Sequence, residues 1–181
     1  MLVQRRYNRE NAAQYARTWA FSRNPLFYNY TGQGGDCTNF VSQAVLAGSC
    51  QMNYTPTFGW YYIDAEARTA SWTGVEFFYN FITGNLGVGP YGAEVSEDEV
   101  EIGDVVQLAR EGDFYHTLFV SGFDTDGEIL VAAHSDDALD RPLSSYTYDS
   151  ARFIHIIGVR FEIEFTSSAC FEALLSGESI L

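Results

Sequence analysis

One cysteine stands where a helix is predicted to begin. Cys37 follows a glycine-rich loop, residues 31–35, and precedes apolar residues at helical spacing such as Phe40, Val41 and Ala44. Unpaired backbone N–H groups at a helix N-terminus favour negative charge, so a cysteine placed there can act as a thiolate nucleophile. The alternative is a small buried apolar residue, which is the usual state of a free cysteine. The glycines and the helix start favour the nucleophile.

A nucleophilic thiol needs a base, and His116 is the candidate for it. It opens a predicted strand that continues through Leu118, Phe119 and Val120. A histidine at a strand start can point into a cleft while its neighbours anchor the sheet. It would take the thiol proton and later protonate the leaving amine, and only folding brings it near Cys37.

A third polar residue is expected to orient the base. His134 ends the next predicted strand, across the hairpin turn 124–127, and hairpin pairing would place it beside His116. Ser135, Asp136 and Asp137 follow it and are alternatives for the same role. The remaining histidine, His155, lies between two isoleucines and is interpreted as structural.

Substrate-binding candidates lie around the cysteine. The backbone N–H of Cys37 and the side-chain amide of Gln33 could stabilise an oxyanion, and Asp36 could contact substrate. Trp60 and Trp72 could line a substrate groove. Ordinary loop hydrogen bonds for Gln33, and core packing for the tryptophans, are the alternatives.

The elements that must position these residues are helices followed by strands. Helical periodicity is predicted over residues 7–21, from about 37 to 48, and over 72–82. Strand periodicity is predicted over 105–109, 116–123, 128–134 and 153–165. This order indicates an α+β domain, residues 1–165, in which N-terminal helices pack on a C-terminal antiparallel sheet. A short tail, 166–181, is weakly helical at 171–175.

Charge and cysteine content restrict the function classes. The 181 residues include 24 acidic and 10 basic ones, a net charge of −14, which argues against nucleic-acid binding. No window reaches membrane-spanning length, and the polar N-terminus has no signal peptide, so we expect the chain to stay where it is made unless it is cut from a longer precursor. Three cysteines give no zinc site, and no metal or cofactor is expected. A disulfide between Cys50 and Cys170 is possible, with two free buried thiols as the alternative.

The segment Asp36-Cys-Thr-Asn-Phe-Val-Ser-Gln43 resembles the signature of the putative amidase domain family, bacterial cysteine amidohydrolases and peptidases of the papain-like, NlpC type. The opening helix, the turn 102–104, His116 and the segments 133–136 and 141–143 match the same order, so the resemblance covers about residues 7–160. It implies a papain-like fold and a catalytic unit of Cys37, His116 and His134.

The resulting hypothesis is a cysteine-dependent hydrolase of peptide or muropeptide amides that works through an acyl-thioester. Two alternatives keep the fold. An acyltransferase would pass the acyl group to an amine, and a binding module would have lost catalysis.

Overall fold

The structure is a computed structural model that describes residues 1–162 and 168–178. The helices are α1 (Arg9–Trp19), α2 (Asp36–Ser49), α3 (Ala70–Thr73), α4 (Val75–Gly84) and α5 (Ser168–Ser176). The strands are β1 (Val3–Arg5), β2 (Gly89–Val95), β3 (Val105–Arg110), β4 (Asp113–Phe123), β5 (Ile129–Ala133), β6 (Ala138–Pro142) and β7 (Ser150–Phe161). The predicted α+β class is confirmed.

The helix α1 begins as its sequence predicts. The side chain of Asn8 accepts a hydrogen bond of 3.0 Å from the Asn11 N–H, which satisfies one of the free donors of the first turn. Ala12, Tyr15 and Ala16 form its buried face. This face packs on α2 and fixes the first layer of the domain.

The helix α2 is buried along its whole length. It ends at Ser49, one residue past the predicted end, and its C-cap Cys50 has a left-handed backbone with φ of 45°. Gly48 lies inside the helix because a Cβ there would sit 2.3 Å from the Tyr7 ring. This glycine therefore serves close packing and not helix termination.

The predicted helix over 72–82 is divided in two. Gly74 has an extended backbone, φ −102° and ψ 128°, and separates α3 from α4. Its N–H still donates to the Ala70 carbonyl at 2.7 Å, so the break costs no backbone hydrogen bond at this point.

All pairs in the sheet are antiparallel, in the order β1-β7-β3-β4-β5-β6, with β2 also paired to β7. The strands predicted around 105–109, 116–123 and 128–134 are present. The strand β2 was not predicted, and the end of the strand predicted to residue 165 lies outside the described residues.

The two faces of the sheet carry separate cores. The face under the helices includes Val105, Phe119 and Ala132, which join the main core with α1 and α2. The opposite face carries a smaller apolar cluster that includes Leu108 and Leu118. Successive residues of a strand point to opposite faces, so neighbouring residues in β4 serve different cores.

A disulfide ties α5 to the end of α2. Cys50 and Cys170 are bonded, with their Cα atoms 6.0 Å apart, and Leu174 of α5 is fully buried in the main core. The free cysteine is Cys37. The C-terminal helix therefore packs with the residues that precede it.

Candidate active site

Cys37 is the second residue of α2. The first hydrogen bond within this helix runs from the Asn39 N–H to the Gly35 carbonyl at 2.9 Å, so the N–H groups of Asp36, Cys37 and Thr38 lie outside the helical ladder. The predicted position of the cysteine at a helix N-terminus is confirmed. Its own N–H remains a candidate oxyanion donor.

Backbone conformation and close packing both explain why a glycine, Gly35, precedes the helix. Gly35 has φ of +93°, in the left-handed region, and a Cβ there would meet the Thr73 carbonyl oxygen at 3.0 Å. The close neighbour of this loop is therefore α3.

The sulfur of Cys37 lies against strand β4. The backbone N–H of Thr117, the residue directly after His116, lies near enough to the sulfur to favour its thiolate. The hydroxyls of Thr38 and Thr117 are hydrogen-bonded at 2.8 Å beside it, and the Thr38 hydroxyl lies 3.8 Å from the sulfur. The start of α2 is therefore fixed to the strand segment that carries the candidate base.

The thiol is only 6% exposed. Burial raises the pKa of Cys37, and it outweighs the backbone N–H groups of Thr117 and Thr38, which favour the thiolate. The prediction of a thiolate at the helix N-terminus is therefore corrected, because burial of the sulfur favours the neutral thiol.

His116 lies in β4 opposite Leu108 and is 9% exposed. Its ring lies 6.1 Å from the Tyr115 ring and 6.0 Å from the Tyr146 ring. Burial lowers the pKa of His116 to about 4, while the charge of Asp136 raises it and that of Arg141 lowers it. The imidazole is therefore neutral at pH 7 and able to accept a proton.

His134 is held by other partners than His116. Its Nδ1 lies 3.0 Å from Asp36 Oδ2, its Nε2 lies 2.9 Å from the Trp19 carbonyl, and its ring stacks on Phe40. Both ring nitrogens therefore lie against acceptor oxygens. The prediction that a His134 nitrogen accepts from His116 is corrected, because both nitrogens are occupied.

Asp36 is a buried hub and not a free substrate ligand. The Tyr30 N–H donates to its Oδ1 at 3.0 Å, and Arg23 Nε lies 3.2 Å from its Oδ2. Burial opposes its charge, but the hydrogen bond and charge of His134, with the Tyr30 N–H, hold the pKa of Asp36 below its usual range. The carboxylate therefore anchors the helix start.

The other predicted substrate residues lie apart from the thiol. The Gln33 amide donates to the Tyr28 hydroxyl at 3.0 Å on the exposed surface. Trp60 and Trp72 are fully buried, and their indole N–H groups bond Ser42 and Asn39 of α2 at 3.2 and 2.9 Å. Neither ring can line an open groove, so both are corrected to core residues that hold α2.

His155 confirms its structural interpretation, since its Nδ1 lies 2.8 Å from Asp104 Oδ2. Four residues near the thiol and imidazole were not singled out as site residues from the sequence: Thr38, Thr117, Arg141 and Tyr146. Only long-range contacts identify them. The one usable signal is that Arg141 lies in a segment shared with the resembled family.

Within residues 1–162 and 168–178, no group of three or more His, Cys, Asp or Glu side chains is arranged to hold a metal ion. In the same residues, none of the helices combines the length and apolar character needed to cross a membrane.

Comparison with known proteins adds a family and one relative. The model of a family described as a putative amidase domain matches residues 6–157. A Bacillus subtilis (strain 168) protein titled "Uncharacterized protein YhbB" is 33% identical over 137 residues, which are 73% of this chain and 42% of the relative. The chain thus spans less than half the length of this relative. No solved structure matches.

Proposed function

Since the chain belongs to the putative amidase domain family, whose name indicates hydrolysis of amide bonds, we propose that it is a cysteine-dependent amide hydrolase of papain-like design, with Cys37 as nucleophile and His116 as base. The observation that carries the proposal is the hydrogen bond of 2.8 Å between the hydroxyls of Thr38 and Thr117, which fixes the helix start at Cys37 to the strand residue that follows His116. Peptide amides, including those of bacterial cell walls, are the substrates that the motif resemblance implies.

The pair starts neutral in this mechanism. Burial favours the thiol over the thiolate and the imidazole over the imidazolium. The sulfur therefore transfers its proton to His116 as it attacks the amide carbon, and the C–S bond forms while the carbonyl oxygen becomes an oxyanion. The side chains of His116 and Thr117 point to opposite faces of β4, so for this step the imidazole has to turn toward the sulfur around the edge of this strand.

The oxyanion needs preorganised donors. The Cys37 N–H lies outside the helical ladder at the positive end of α2, so it can donate to a carbonyl oxygen that approaches the sulfur. The Gln33 side chain would have to leave the Tyr28 hydroxyl to take part.

Collapse of the tetrahedral intermediate breaks the C–N bond, and His116 returns the proton to the departing amine. Water then attacks the thioester, with His116 as base, and releases the carboxylic acid and the thiol. Asp136 is the residue we propose to support the imidazolium, because its charge raises the pKa of His116. His134 is tied to Asp36 instead.

The test is detection of the acyl-enzyme. Wild-type protein is incubated with a panel of acyl-peptides, quenched in acid and examined by intact mass. Cys37 is the free thiol, with Cys50 and Cys170 in a disulfide, so an acyl adduct has one expected location.

The proposal is supported if the wild type turns over a peptide and carries an acyl adduct on Cys37. Cys37→Ala should then lose both the turnover and the adduct, and His116→Ala should lose the turnover. Turnover that survives Cys37→Ala contradicts it. Absence of turnover and adduct across the panel favours a binding module of the same fold.

A further inference from the structure

A tyrosine and an arginine lie beside His116, on the face of the sheet opposite to the helices. Tyr146 packs against the smaller apolar cluster, with its ring 6.0 Å from the His116 ring. The Cζ of Arg141 lies 3.8 Å above the centre of the Tyr146 ring. Cys37 approaches the same strand from the side of α2, so the two groups flank the imidazole away from the sulfur.

The hydroxyl of Tyr146 is buried, and no group in the described part of the chain accepts a hydrogen bond from it, although the Arg141 guanidinium lies near enough to donate to its oxygen. Buried hydroxyl protons without an acceptor are uncommon because they cost free energy. Arg141 cannot satisfy this hydroxyl proton, since a guanidinium only donates. The proton therefore needs an acceptor that the described residues do not supply.

Arg141 is also incompletely paired. Its Nε donates to the Ser145 hydroxyl at 2.8 Å and its Nη2 to the Ser145 carbonyl at 3.2 Å. It makes no ion pair with a carboxylate among residues 1–162 and 168–178, although the sequence has 24 acidic residues and 10 basic ones, all arginine. Arg9, Arg17, Arg23 and Arg152 each pair with a carboxylate, whereas Arg68, Arg110 and Arg160, like Arg141, lie over aromatic rings without such a pair in the described part of the chain.

A carboxylate fits both groups at once. It offers two acceptor oxygens, one for the tyrosine hydroxyl and one for a guanidinium N–H, and its charge suits the arginine. We propose that Tyr146 and Arg141 bind a free carboxylate of the substrate on the leaving-amine side of the scissile bond.

The assignment of this carboxylate to the leaving-amine side of the scissile bond follows from the proposed function, on which this inference rests. Cys37 holds the acyl part, and His116 returns its proton to the departing amine, so groups beyond His116 contact the amine part. The substrate class is then an acyl-peptide whose released amine is an amino acid with its own free carboxylate.

The test compares acetyl-Xaa-Ala peptides with their C-terminal amides, which differ only in the charge of the last group. We expect wild-type kcat/KM to be at least about tenfold higher for the acids. Tyr146→Phe, which keeps the ring, and Arg141→Gln should remove most of this preference, and Arg141→Lys should restore part of it. Arg6→Gln makes the same charge change on an exposed residue next to β1, at the other edge of the sheet, and should leave the preference intact.

Equal turnover of acids and amides by the wild type overturns the inference and leaves the proposed function standing. Equal losses on both substrates in correctly folded Tyr146→Phe, judged by an unchanged Tm, also overturn it. If no peptide is turned over, the proposed function fails. Calorimetry of Cys37→Ala with the same peptide pairs then decides the inference separately: tighter binding of the acids supports it, and equal binding rejects it.

Discussion

The Nδ1 of His134 lies 3.0 Å from the Oδ2 of Asp36, and both side chains are 1% exposed. This contact joins the end of β5 to the first residue of α2, directly before Cys37. The Nε2 of the same ring bonds the Trp19 carbonyl at the end of α1. One imidazole thereby fixes three elements around the nucleophile.

Asp36→Asn should destabilise the fold by about 3–5 kcal/mol, because it leaves the Arg23 guanidinium and the buried His134 ring without their carboxylate partner. Urea denaturation at pH 7 measures the change. Asp137→Asn is the matched control, since Asp137 also pairs with Arg23 but is exposed, and it should cost less than about 1 kcal/mol.

The pH dependence has a defined sign. The pKa of Asp36 is lowered in the folded state, so its stabilisation is present above the ordinary carboxyl pKa and is lost as the pH falls through the lowered value. The loss in Asp36→Asn should therefore shrink as the medium becomes acidic. Equal stability of the two proteins at pH 7 would contradict the role of the pair.

The thiol gives a second prediction. Because burial raises the pKa of Cys37, its alkylation by iodoacetamide should be slow at pH 6–7 and should accelerate only above the ordinary thiol pKa of about 8.5. The rate is followed by intact mass, and urea-unfolded protein with its disulfide intact gives the unperturbed reference. A fast plateau at pH 6–7 would instead indicate a preformed thiolate, as the helix position alone predicted.

His116 should make the protein acid-sensitive. Its pKa is lowered to about 4, whereas the unfolded value is about 6.5, so the unfolded state binds the proton first as the pH falls. Stability is full above about pH 6.5 and should decline by about 3 kcal/mol toward pH 4. In His116→Gln this part of the decline should vanish, as measured by urea denaturation at several pH values. Parallel curves for the two proteins would rule out a buried neutral imidazole.

Local signals predicted the elements that carry the site. The glycines before Cys37, the apolar spacing after it and the turn at 124–127 act within a few residues, and each lies where the sequence placed it. The helix break at Gly74 and the close packing at Gly48 were not predicted, because a glycine can break a helix or allow close packing, and only the packing partner distinguishes these cases.

Long-range contacts account for the remaining differences. Asp36 and His134 are 98 residues apart, and their pairing depends on how α2 lies over the sheet. The burial that raises the pKa of Cys37 likewise depends on packing against β4, and the residues next to Cys37 in the sequence do not predict it. Trp60 and Trp72 were ambiguous for the same reason, since a core ring and a groove ring have the same sequence pattern.

The disulfide should stabilise the fold without serving catalysis. It joins cysteines separated by 120 residues and ties α5 to the end of α2, far along the helix from Cys37. Restricting so long a loop in the unfolded chain is typically worth about 2–4 kcal/mol. Cys50→Ser/Cys170→Ser should therefore lower the free energy of unfolding by this amount and keep turnover at low temperature. Reduced wild-type protein is the control and should match the double variant, whereas loss of turnover in a folded variant would give the disulfide a role at the site.

The proposed role of Asp136 in supporting the His116 imidazolium can be tested separately from the role of Asp137. Asp136 follows β5 in a left-handed backbone conformation, φ 68°, which asparagine tolerates, so Asp136→Asn removes the charge with little strain. The negative charge raises the pKa of His116, so its removal should lower that pKa further and destabilise the imidazolium formed during attack. We expect kcat to fall at least about tenfold, and the His116 titration, followed by NMR, to move to lower pH.

Asp137→Asn makes the same change one residue later in the turn and pairs with Arg23, so it should leave the His116 titration in place. A reduced kcat with an unmoved titration in Asp136→Asn would assign the carboxylate to substrate binding and remove it from support of the base.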